Sequence, residues 1–418
     1  MTRGLMKTAS GIAIAAAAGL FATSAMAADL GVGGNCCADL EERVAELEAT
    51  TARKGNRVVS LTVYGRVTQG ILWHDDEDGY REGKATIRDD SGSPTLFGFR
   101  GEAQIRPGLT AGYNLEFGVS ADDGTDGISI RHSYGYLDSE SLGRISIGQT
   151  SQATDALYEI NLANTVVTPG QLNEEKYFLN AALTAPWATV FDGDRRQGVY
   201  YRSPTLAGFV LSLGYSQDAG SYGAESYAED QVFIDGAGPY TVTIHSDGVV
   251  DNNDYWEAAL RYAGEFNGVR LAAGGGYRHV NAVDGNDQDV WLGSGSIMHM
   301  PTGLFVSGGM AKIEWDDGDE QDGFWVMAGI EKNFFGPGTT TLFGEYLESN
   351  RDSVGDGSVW GFGVVQRIDA AATDLFLKFR HVRTDVDVVL VDPATEAEVP
   401  LNLQDDANVV IGGMRIQF

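Results

Sequence analysis

The sequence predicts an all-β fold, a sixteen-stranded antiparallel transmembrane β-barrel, and three observations support that prediction. From residue 58 to the C-terminus, apolar and polar residues alternate in segments of strand length, which is the two-residue period of a β-strand. The connections between these segments are short and long by turns, as an antiparallel membrane barrel requires. After residue 27, no stretch approaches the roughly 18 consecutive apolar residues of a membrane helix.

The first 27 residues have the pattern of a cleaved secretory signal. Arg3 and Lys7 flank the start, residues 11–21 form an apolar run, and residues 25–27 read AMA, a cleavage site of small residues. The apolar run is too short and too rich in alanine to anchor the chain in a membrane. We therefore expect a signal peptide over residues 1–27, with Met6 as an alternative start.

The chain is strongly acidic, with 59 Asp and Glu against 29 Lys and Arg and a formal net charge of −30. Removing the signal peptide and its two basic residues takes that charge to −32. Nucleic acid is not expected as a partner, because its phosphate backbone attracts basic surfaces. The charge is compatible with divalent cations and with the passage of cationic solutes.

An N-terminal periplasmic segment is predicted over residues 28–57. Within it, residues 39–53 read DLEERVAELEATTAR. The spacing of a coiled-coil seam is found at Leu40, Val44, Leu47 and Thr51. The sequence therefore predicts a short helix, which either docks on the rest of the protein or forms a coiled coil among identical chains. Peptidoglycan is a candidate contact of this segment.

The only two cysteines, Cys36 and Cys37, are adjacent. Neighbouring cysteines pair with each other only under strain. Two outcomes therefore remain open, a disulfide between chains in the oxidising periplasm and two free thiols.

The transmembrane barrel domain is predicted over residues 58–418. Connections such as RPGL and SPTLAG are tight, whereas eight others are long or acidic. Tight turns and long loops interleave strictly, which places all tight turns on the periplasmic side. Sixteen strands are predicted near residues 58–74, 95–106, 109–120, 128–138, 143–149, 195–203, 208–217, 253–263, 268–280, 288–299, 303–314, 323–332, 338–348, 357–367, 373–383 and 408–418.

The apolar face of each strand is predicted to meet lipid. Sixteen strands enclose a lumen too wide for side chains to fill, so the interior must be wet. In the first strand Val63, Val67 and Ile71 share the predicted lipid face, whereas Arg66 and Thr68 share the other. Aromatic residues near strand ends are assigned to the two interfacial girdles: Trp73, Tyr134, Tyr136, Tyr201, Tyr255, Trp256, Trp325 and Trp360.

The connection over residues 150–194 is the longest and contains apolar residues, such as Leu157, Tyr158 and Trp187, that need a surface to bury against. Long loops in compact proteins usually have a function. We therefore predict that this loop folds back against the inner wall of the barrel and narrows the pore.

Charges predict a transverse field across that constriction. The candidate acids of the loop are Asp155, Glu159, Glu174, Glu175, Asp192 and Asp194. The candidate wall cations, which share the inward parity of their strands, are Arg66, Arg100 and Arg131. Arg144, Arg196 and Arg202 are further candidates. Polar solutes orient in such a field, whereas apolar solutes must displace ordered water.

The chain ends NVVIGGMRIQF, in which Met414, Ile416 and Phe418 fall on the predicted lipid face and Arg415 and Gln417 on the other. A strand that runs to the last residue needs a partner strand. The first strand is the free one, so we predict that the two pair and leave the sheet without an edge.

Four segments resemble the general-diffusion porins of alphaproteobacteria: CCADLEERVAELEATTARKGNRVVSLTVYGRV, GRISIGQTS, RRQGVYYRSPTLAGFVLSLGYS and the terminal strand. The resemblance implies a homotrimeric sixteen-stranded barrel in the outer membrane of a Gram-negative bacterium, in contact with lipid and lipopolysaccharide. It implies a third loop, here residues 150–194, folded inside, and passive diffusion of small hydrophilic molecules. The terminal Phe418, with Ile416 and Met414, resembles the signal read by the outer-membrane assembly machinery. The loop-tip motif of enterobacterial porins is absent, which leaves open which acids line the narrowest point.

Two other functions compete with a diffusion channel. The protein could be structural, with residues 38–53 tethering the outer membrane to peptidoglycan. It could be a channel specific for one solute, although no file of aromatics appears at the predicted inward positions. An enzyme is not expected, and neither is a cofactor, because the six histidines are dispersed and no G-x-S-x-G or H-E-x-x-H motif accompanies them.

The excess of acids predicts a weak to moderate preference for cations. A further hypothesis concerns the first loop, where Asp75, Asp76, Glu77 and Asp78 follow one another. These acids are candidates for binding divalent cations that bridge lipopolysaccharide.

Overall fold

The computed structural model describes residues 51–54, 57–76, 86–88, 92–120, 127–173, 184–187, 191–218, 231–235, 238–242, 253–283, 285–391 and 398–418. Across these ranges no helix is long and apolar enough to cross a membrane. Two 3-10 helices are present there, Ala185–Trp187 and Asp369–Ala371.

Strands make up most of the described residues. In chain order they are β1 (Thr51–Lys54), β2 (Arg57–Ser60), β3 (Thr62–Asp76), β4 (Thr86–Arg88), β5 (Leu96–Arg106), β6 (Leu109–Ser120), β7 (Gly127–Ser139), β8 (Gly143–Ser151), β9 (Arg195–Arg202), β10 (Phe209–Gln217), β11 (Gln231–Asp235), β12 (Gly238–Val242), β13 (Asp254–Phe266), β14 (Val269–Asn281), β15 (Gln288–His299), β16 (Leu304–Trp315), β17 (Glu320–Lys332), β18 (Thr340–Arg351), β19 (Gly355–Ile368), β20 (Thr373–Val391) and β21 (Glu398–Gln417).

Sixteen of these strands form a closed antiparallel barrel, which confirms the predicted fold. They are β3, β5 to β10 and β13 to β21, and each is paired with its neighbour in this order. The three-residue β4 pairs with residues 70–72 of β3. The pairs β1–β2 and β11–β12 form two small separate sheets.

The barrel closes where the last strand meets the first. In β21, Ile416 pairs with Val67 of β3, and the two strands run antiparallel from there to Ala407. Beyond the strand, the amide of Phe418 donates to the carbonyl of Gly65 at 3.0 Å, and the amide of Gly65 donates back at 2.9 Å. The predicted pairing of the two terminal strands is therefore confirmed, and it extends to the final residue.

The observed strands overlap every predicted one, and the largest difference lies in the last hairpin. β20 and β21 contain 19 and 20 residues, whereas the sequence predicts strands only over residues 373–383 and 408–418. A membrane strand needs roughly 9–11 residues. The additional pairs therefore extend the hairpin beyond the hydrocarbon, in a stretch whose acidic composition suggested a loop.

The predicted helix over residues 39–53 lies mostly outside the described residues, as do the predicted signal peptide and both cysteines. Its last three residues, 51–53, belong to β1 instead. The backbone there pairs antiparallel with β2, so the sheet supplies hydrogen-bond partners that a frayed helix end would lack.

The two faces of each strand have the predicted environments. In β3 the side chains of Val63 and Ile71 are 55% and 60% exposed on the outer surface, whereas Thr68 and Leu72 are buried inside. The apolar surface thus faces lipid, as expected from a barrel too wide to fill with its own side chains.

Four of the predicted girdle aromatics face the lumen instead. Tyr255 and Trp325 are buried against the barrel interior. In β17 the residues on either side of Trp325, Phe324 and Val326, are the exposed ones, so strand alternation turns the indole inward. Outward exposure is confirmed for Trp73, Trp256 and Trp360.

A β-bulge explains why Tyr134 and Tyr136 also face inward. The β6–β7 register shifts between Glu116 and Phe117, where the partner of Phe117 is Ile130 and that of Glu116 is His132. One extra residue in β7 reverses the alternation beyond that point. Both tyrosines therefore line a cavity of the lumen, which no unshifted period-two pattern could indicate.

Deletion of Phe418 is predicted to impair barrel assembly, because it removes the two backbone hydrogen bonds to Gly65 and the ring that packs on this glycine. We expect the protein to reach the periplasm but to show little heat-modifiable, folded material in the outer-membrane fraction. Phe335→Ala, which removes an exposed ring at a turn, is the matched control. Normal insertion of the deletion variant would contradict the prediction.

Candidate pore constriction

The long loop folds into the barrel, as predicted. We call the described residues between β8 and β9, namely 152–173, 184–187 and 191–194, the lumen loop. Its backbone bonds to inward-facing side chains of the wall: the hydroxyl of Ser294 donates to the carbonyl of Leu157 at 2.6 Å, and the indole Nε1 of Trp325 donates to the carbonyl of Tyr158 at 2.6 Å. The loop is thereby fixed along the inner face of the C-terminal half of the barrel.

Apolar packing accompanies these bonds. Leu157 and Tyr158 are almost fully buried, and the ring of Tyr158 lies 5.1 Å from that of Phe191 and 6.5 Å from that of Trp325. The wall beneath contributes Met327 and other apolar side chains to the same cluster. The lumen therefore contains a small hydrophobic core between loop and wall, which gives the loop the surface that its sequence required.

Charged wall residues hold the first turn of the loop. Arg261 of β13 donates to the carbonyls of Ala153 at 2.9 Å and Asp155 at 2.5 Å. A carboxylate oxygen of Glu257, on the same strand, accepts from the amide of Thr154 at 3.1 Å. Loops lack regular backbone pairing, and buried amides and carbonyls without partners are costly. These side chains supply the missing partners.

The middle of the loop is anchored at the barrel seam. Arg415 of β21 and Asp374 of β20 form a buried ion pair at 2.7 Å. Both bond to the side chain of Asn164, whose oxygen accepts from Arg415 at 2.7 Å and whose nitrogen donates to Asp374 at 2.9 Å. Because every partner is hydrogen-bonded, the pair offsets the desolvation cost that burial imposes on charges.

The predicted wall arginines stand on three different strands and do not share one cavity. Arg66 of β3 and the loop's Glu159 line a cavity of about 500 Å³. Arg100 of β5 and the loop's Asp155 line a second cavity of about 480 Å³. Arg131 of β7 forms an ion pair with Glu116 of the neighbouring strand instead.

Arg131 and His132 both face inward because they lie at the bulge of β7. The Nε of Arg131 donates to a carboxylate oxygen of Glu116 at 2.8 Å, and His132 Nε2 lies 3.8 Å from the same oxygen. Much of the positive charge of Arg131 is therefore balanced within the wall.

Two of the predicted loop acids have structural partners. Asp192 is 5% exposed, and its Oδ1 accepts from the amides of Leu157 and Tyr158 at 2.9 Å each. Asp192 therefore joins the two ends of the loop. Asp194 is exposed and lies 3.4 Å from Arg195. Glu174 and Glu175 lie outside the described residues.

Burial shifts the acids of the loop toward their neutral forms. Desolvation, with repulsion from Asp155 second, raises the pKa of Asp192 to about 7. Desolvation and the neighbouring Asp192 hold the pKa of Glu159 well above its usual range. Burial also raises the pKa of Asp155, against the opposing attraction of Arg195. Repulsion from neighbouring loop carboxyls adds to the effect of burial on Asp192 and Glu159, because like charges disfavour ionisation.

Sequence reasoning missed the residues that hold the loop. Arg261 and Glu257 lie at inward positions of a correctly predicted strand, so parity combined with charge could have found them. Nothing in the sequence indicated that Asn164 anchors the loop, because its hydrogen-bond partners lie on two strands more than 200 positions away.

Metal binding finds no support in the described ranges, where no group of three or more His, Cys, Asp or Glu could hold an ion. The hypothesis of divalent cations at the first loop concerns residues 75–78. Of these, Glu77 and Asp78 lie outside the described residues, and Asp75 and Asp76 end β3.

Comparison with known proteins agrees with this architecture. The sequence model of a family described as Gram-negative porin matches residues 13–387. Curated protein sequences gave no match. Among solved structures, an anion-selective porin from Comamonas acidovorans superposes with a TM-score of 0.58 at 16% identity, covering 86% of this chain and 100% of that chain.

Two further structures have the same fold. Salmonella typhi OmpF, in complex with daunomycin, gives a TM-score of 0.53 at 13% identity and covers 88% of this chain and 100% of that chain. Vibrio cholerae OmpT in its trimer form gives 0.51 at 12% identity, covering 86% and 99%. At these identities the similarity shows the fold alone, and the narrower resemblance to alphaproteobacterial porins stays a prediction. With the family match spanning most of the sequence and a closed sixteen-stranded barrel around an inner loop, the chain belongs to the Gram-negative porin family and is an outer-membrane channel rather than an enzyme.

Proposed function

We propose that this porin is a passive diffusion channel for small hydrophilic solutes and ions, with its constriction between the lumen loop and the arginine-bearing wall. The observation that carries this proposal is the attachment of the loop to one side of the barrel. Loop backbone bonds to β15 and β17, while Arg66 and Arg100 project inward from β3 and β5. Water and solutes then pass between a loop that is fixed and a wall that carries opposite charge.

The transverse field of this constriction is carried mainly by Asp155 and Glu159 on the loop and by Arg66 and Arg100 on the wall. Asp192 and Arg131 contribute less, because each is engaged by its own neighbours. Such a field orders water across the pore and selects for polar solutes. The field strength depends on pH, since burial raises the pKa of both Asp155 and Glu159 above their ordinary values.

The assembly and cellular context are part of the same proposal. A homotrimer embedded in outer-membrane lipid and lipopolysaccharide is supported by the trimer form of the Vibrio cholerae protein. The proposal also includes export through the signal peptide of residues 1–27 and contact of residues 28–57 with peptidoglycan. The assembly machinery would recognise Met414, Ile416 and Phe418. Cleavage-site sequencing and peptidoglycan pull-down with and without residues 38–53 test the two N-terminal elements.

Planar-bilayer recording tests the channel itself. We expect stepwise KCl conductance, closures in groups of three, and a reversal potential in a KCl gradient that favours cations weakly to moderately, because the formal charge of the chain is −30. An inert protein would refute the channel. A reversal potential of the opposite sign would refute the cation preference alone.

Asp374→Asn is predicted to loosen the lumen loop. The substitution leaves Arg415 buried without its ion-pair partner, and losing one member of a buried pair costs about 3–5 kcal/mol. We expect more open-channel noise and faster protease cleavage within the loop. Asp369→Asn is the control, because its ion pair with Arg367 is exposed on the carboxylate side and such pairs contribute little. Equal behaviour of the two variants would contradict the role assigned to Asp374.

The attachment of the lumen loop to the barrel wall, which we call its seating, is predicted to weaken as pH rises. The pKa of Asp192 is about 7 when the loop is seated, against an ordinary value of 3.8, so the seated loop binds the proton more tightly. Stability of seating is therefore greatest below about pH 4 and falls as pH approaches 7. We expect open-channel noise to increase from pH 5 to pH 8.

Asp192→Asn retains an oxygen for the amides of Leu157 and Tyr158 but cannot ionise, so it should flatten this pH dependence. Asp194→Asn, at an exposed position of the same segment, should leave the dependence as in the unmodified protein. An unchanged pH profile in Asp192→Asn would show that another group controls seating.

A further inference from the structure

The second of the two cavities extends along the wall from the periplasmic tight turns to the start of the lumen loop. Its lining includes Arg144, which follows the tight turn before β8, and Arg202, the last residue of β9 before the next tight turn. We call this space of about 480 Å³ the turn cavity. Its defining residues are Tyr64, Arg100, Tyr134, Tyr136, Arg144 and Arg202.

Aromatic rings form one surface of the turn cavity. The ring of Tyr136 lies so close to the neighbouring strand that a Cβ on Gly112 would stand 2.2 Å from it, and Tyr64 lies equally against Gly98, at 2.6 Å. Glycine in these two positions lets the rings lie against the wall instead of crossing the lumen. Tyr134 adds a third ring, 6.2 Å from that of Tyr136. The rings thus form an extended aromatic surface and leave the space of the cavity open.

Two arginines lie beside these rings. Arg144 and Arg202 are directly opposite each other on β8 and β9. Arg144 binds Asp138 at 2.5 Å, and its guanidinium stacks 4.0 Å above the ring of Tyr136. Arg202, in contrast, forms no ion pair with any residue that the structure describes. Asp138 is thus taken by Arg144. Of the carboxylates that line the cavity, Glu116 is paired with Arg131, and Glu102 and Asp155 form no ion pair with Arg202. Arg202 is therefore the guanidinium that can accept an anionic solute.

We propose that the turn cavity is a binding subsite for small aromatic carboxylates, with the carboxylate on Arg202 and the ring against Tyr134. The proposal rests on the channel function, since the solute reaches the cavity through the pore. A guanidinium recognises carboxylates through paired hydrogen bonds, and aromatic rings associate in offset or edge-to-face arrangements.

Neither element alone would select this class of solute. An inorganic anion would use the guanidinium and gain nothing from the rings, whereas a neutral aromatic would leave the charge of Arg202 without a partner. A neutral sugar could pack on tyrosines but would also leave that charge unpaired. Only a solute that combines a flat apolar body with an anionic group uses both surfaces. The subsite would hold such anions at the periplasmic mouth of a pore that otherwise prefers cations.

Conductance block with three probes tests the subsite. Benzoate, acetate and benzyl alcohol are added in turn to the assembled porin in planar bilayers under KCl. We expect benzoate to reduce the current in a saturable way and at lower concentration than either probe that lacks the ring or the charge. Arg202→Gln should weaken the benzoate block roughly tenfold, the loss expected for one charge-assisted hydrogen bond. Tyr134→Leu should reduce benzoate to the level of acetate, whereas Tyr134→Phe should retain the block.

Arg270→Gln is the matched control, because Arg270 also lies beside a tight turn but pairs with Glu265 of β13 and does not line the turn cavity. Its benzoate block should equal that of the unmodified protein. Block by benzoate no stronger than by acetate, or equal loss in Arg270→Gln and Arg202→Gln, would overturn the subsite. KCl conductance before any probe is added separates this result from failure of the channel, which would appear as absence of current.

Discussion

The whole structure depends on one requirement, that no backbone hydrogen-bonding group of the sheet be left without a partner in lipid. A bilayer offers no water to satisfy an open edge. The seam between β21 and β3 meets this requirement, and it continues through Phe418 and Gly65 at the end of the chain. An even number of antiparallel strands, tight turns on one side and long loops on the other follow from that closure.

Closure with sixteen strands creates the second problem, a lumen that wall side chains cannot fill. The lumen loop solves it in two ways at once. Leu157, Tyr158 and Phe191 form a core with the wall, while Arg261 and the seam pair of Arg415 and Asp374 supply partners for loop backbone and side chains. Barrel closure and loop position are thus coupled, because Arg415 belongs to the closing strand. The same attachment leaves the arginines of β3 and β5 facing the pore.

Features that depend on neighbouring residues in the sequence could be predicted, whereas features that depend on contacts between distant strands could not. Strand positions, barrel closure and the inward course of the loop could be predicted, because each is written in local alternation or in a long segment with apolar residues. The inward tyrosines could not, because one bulge opposite Glu116 reverses the faces of β7. Asp192 was predicted to line the pore because it is an acid of the long loop, yet its carboxylate accepts hydrogen bonds from two amides of the same loop.

The sequence by itself determined the strand count, the lipid face and the pairing of the last strand with the first, because a two-residue period and a wide barrel permit one arrangement of faces. Only the tertiary structure decided which charges the pore retains. Whether an arginine faces solute or is neutralised depends on partners from distant strands, as Arg131 with Glu116 and Arg202 without an ion pair in the described chain both show. Those partnerships are set by register and by a single bulge, and neither leaves a local trace in the sequence.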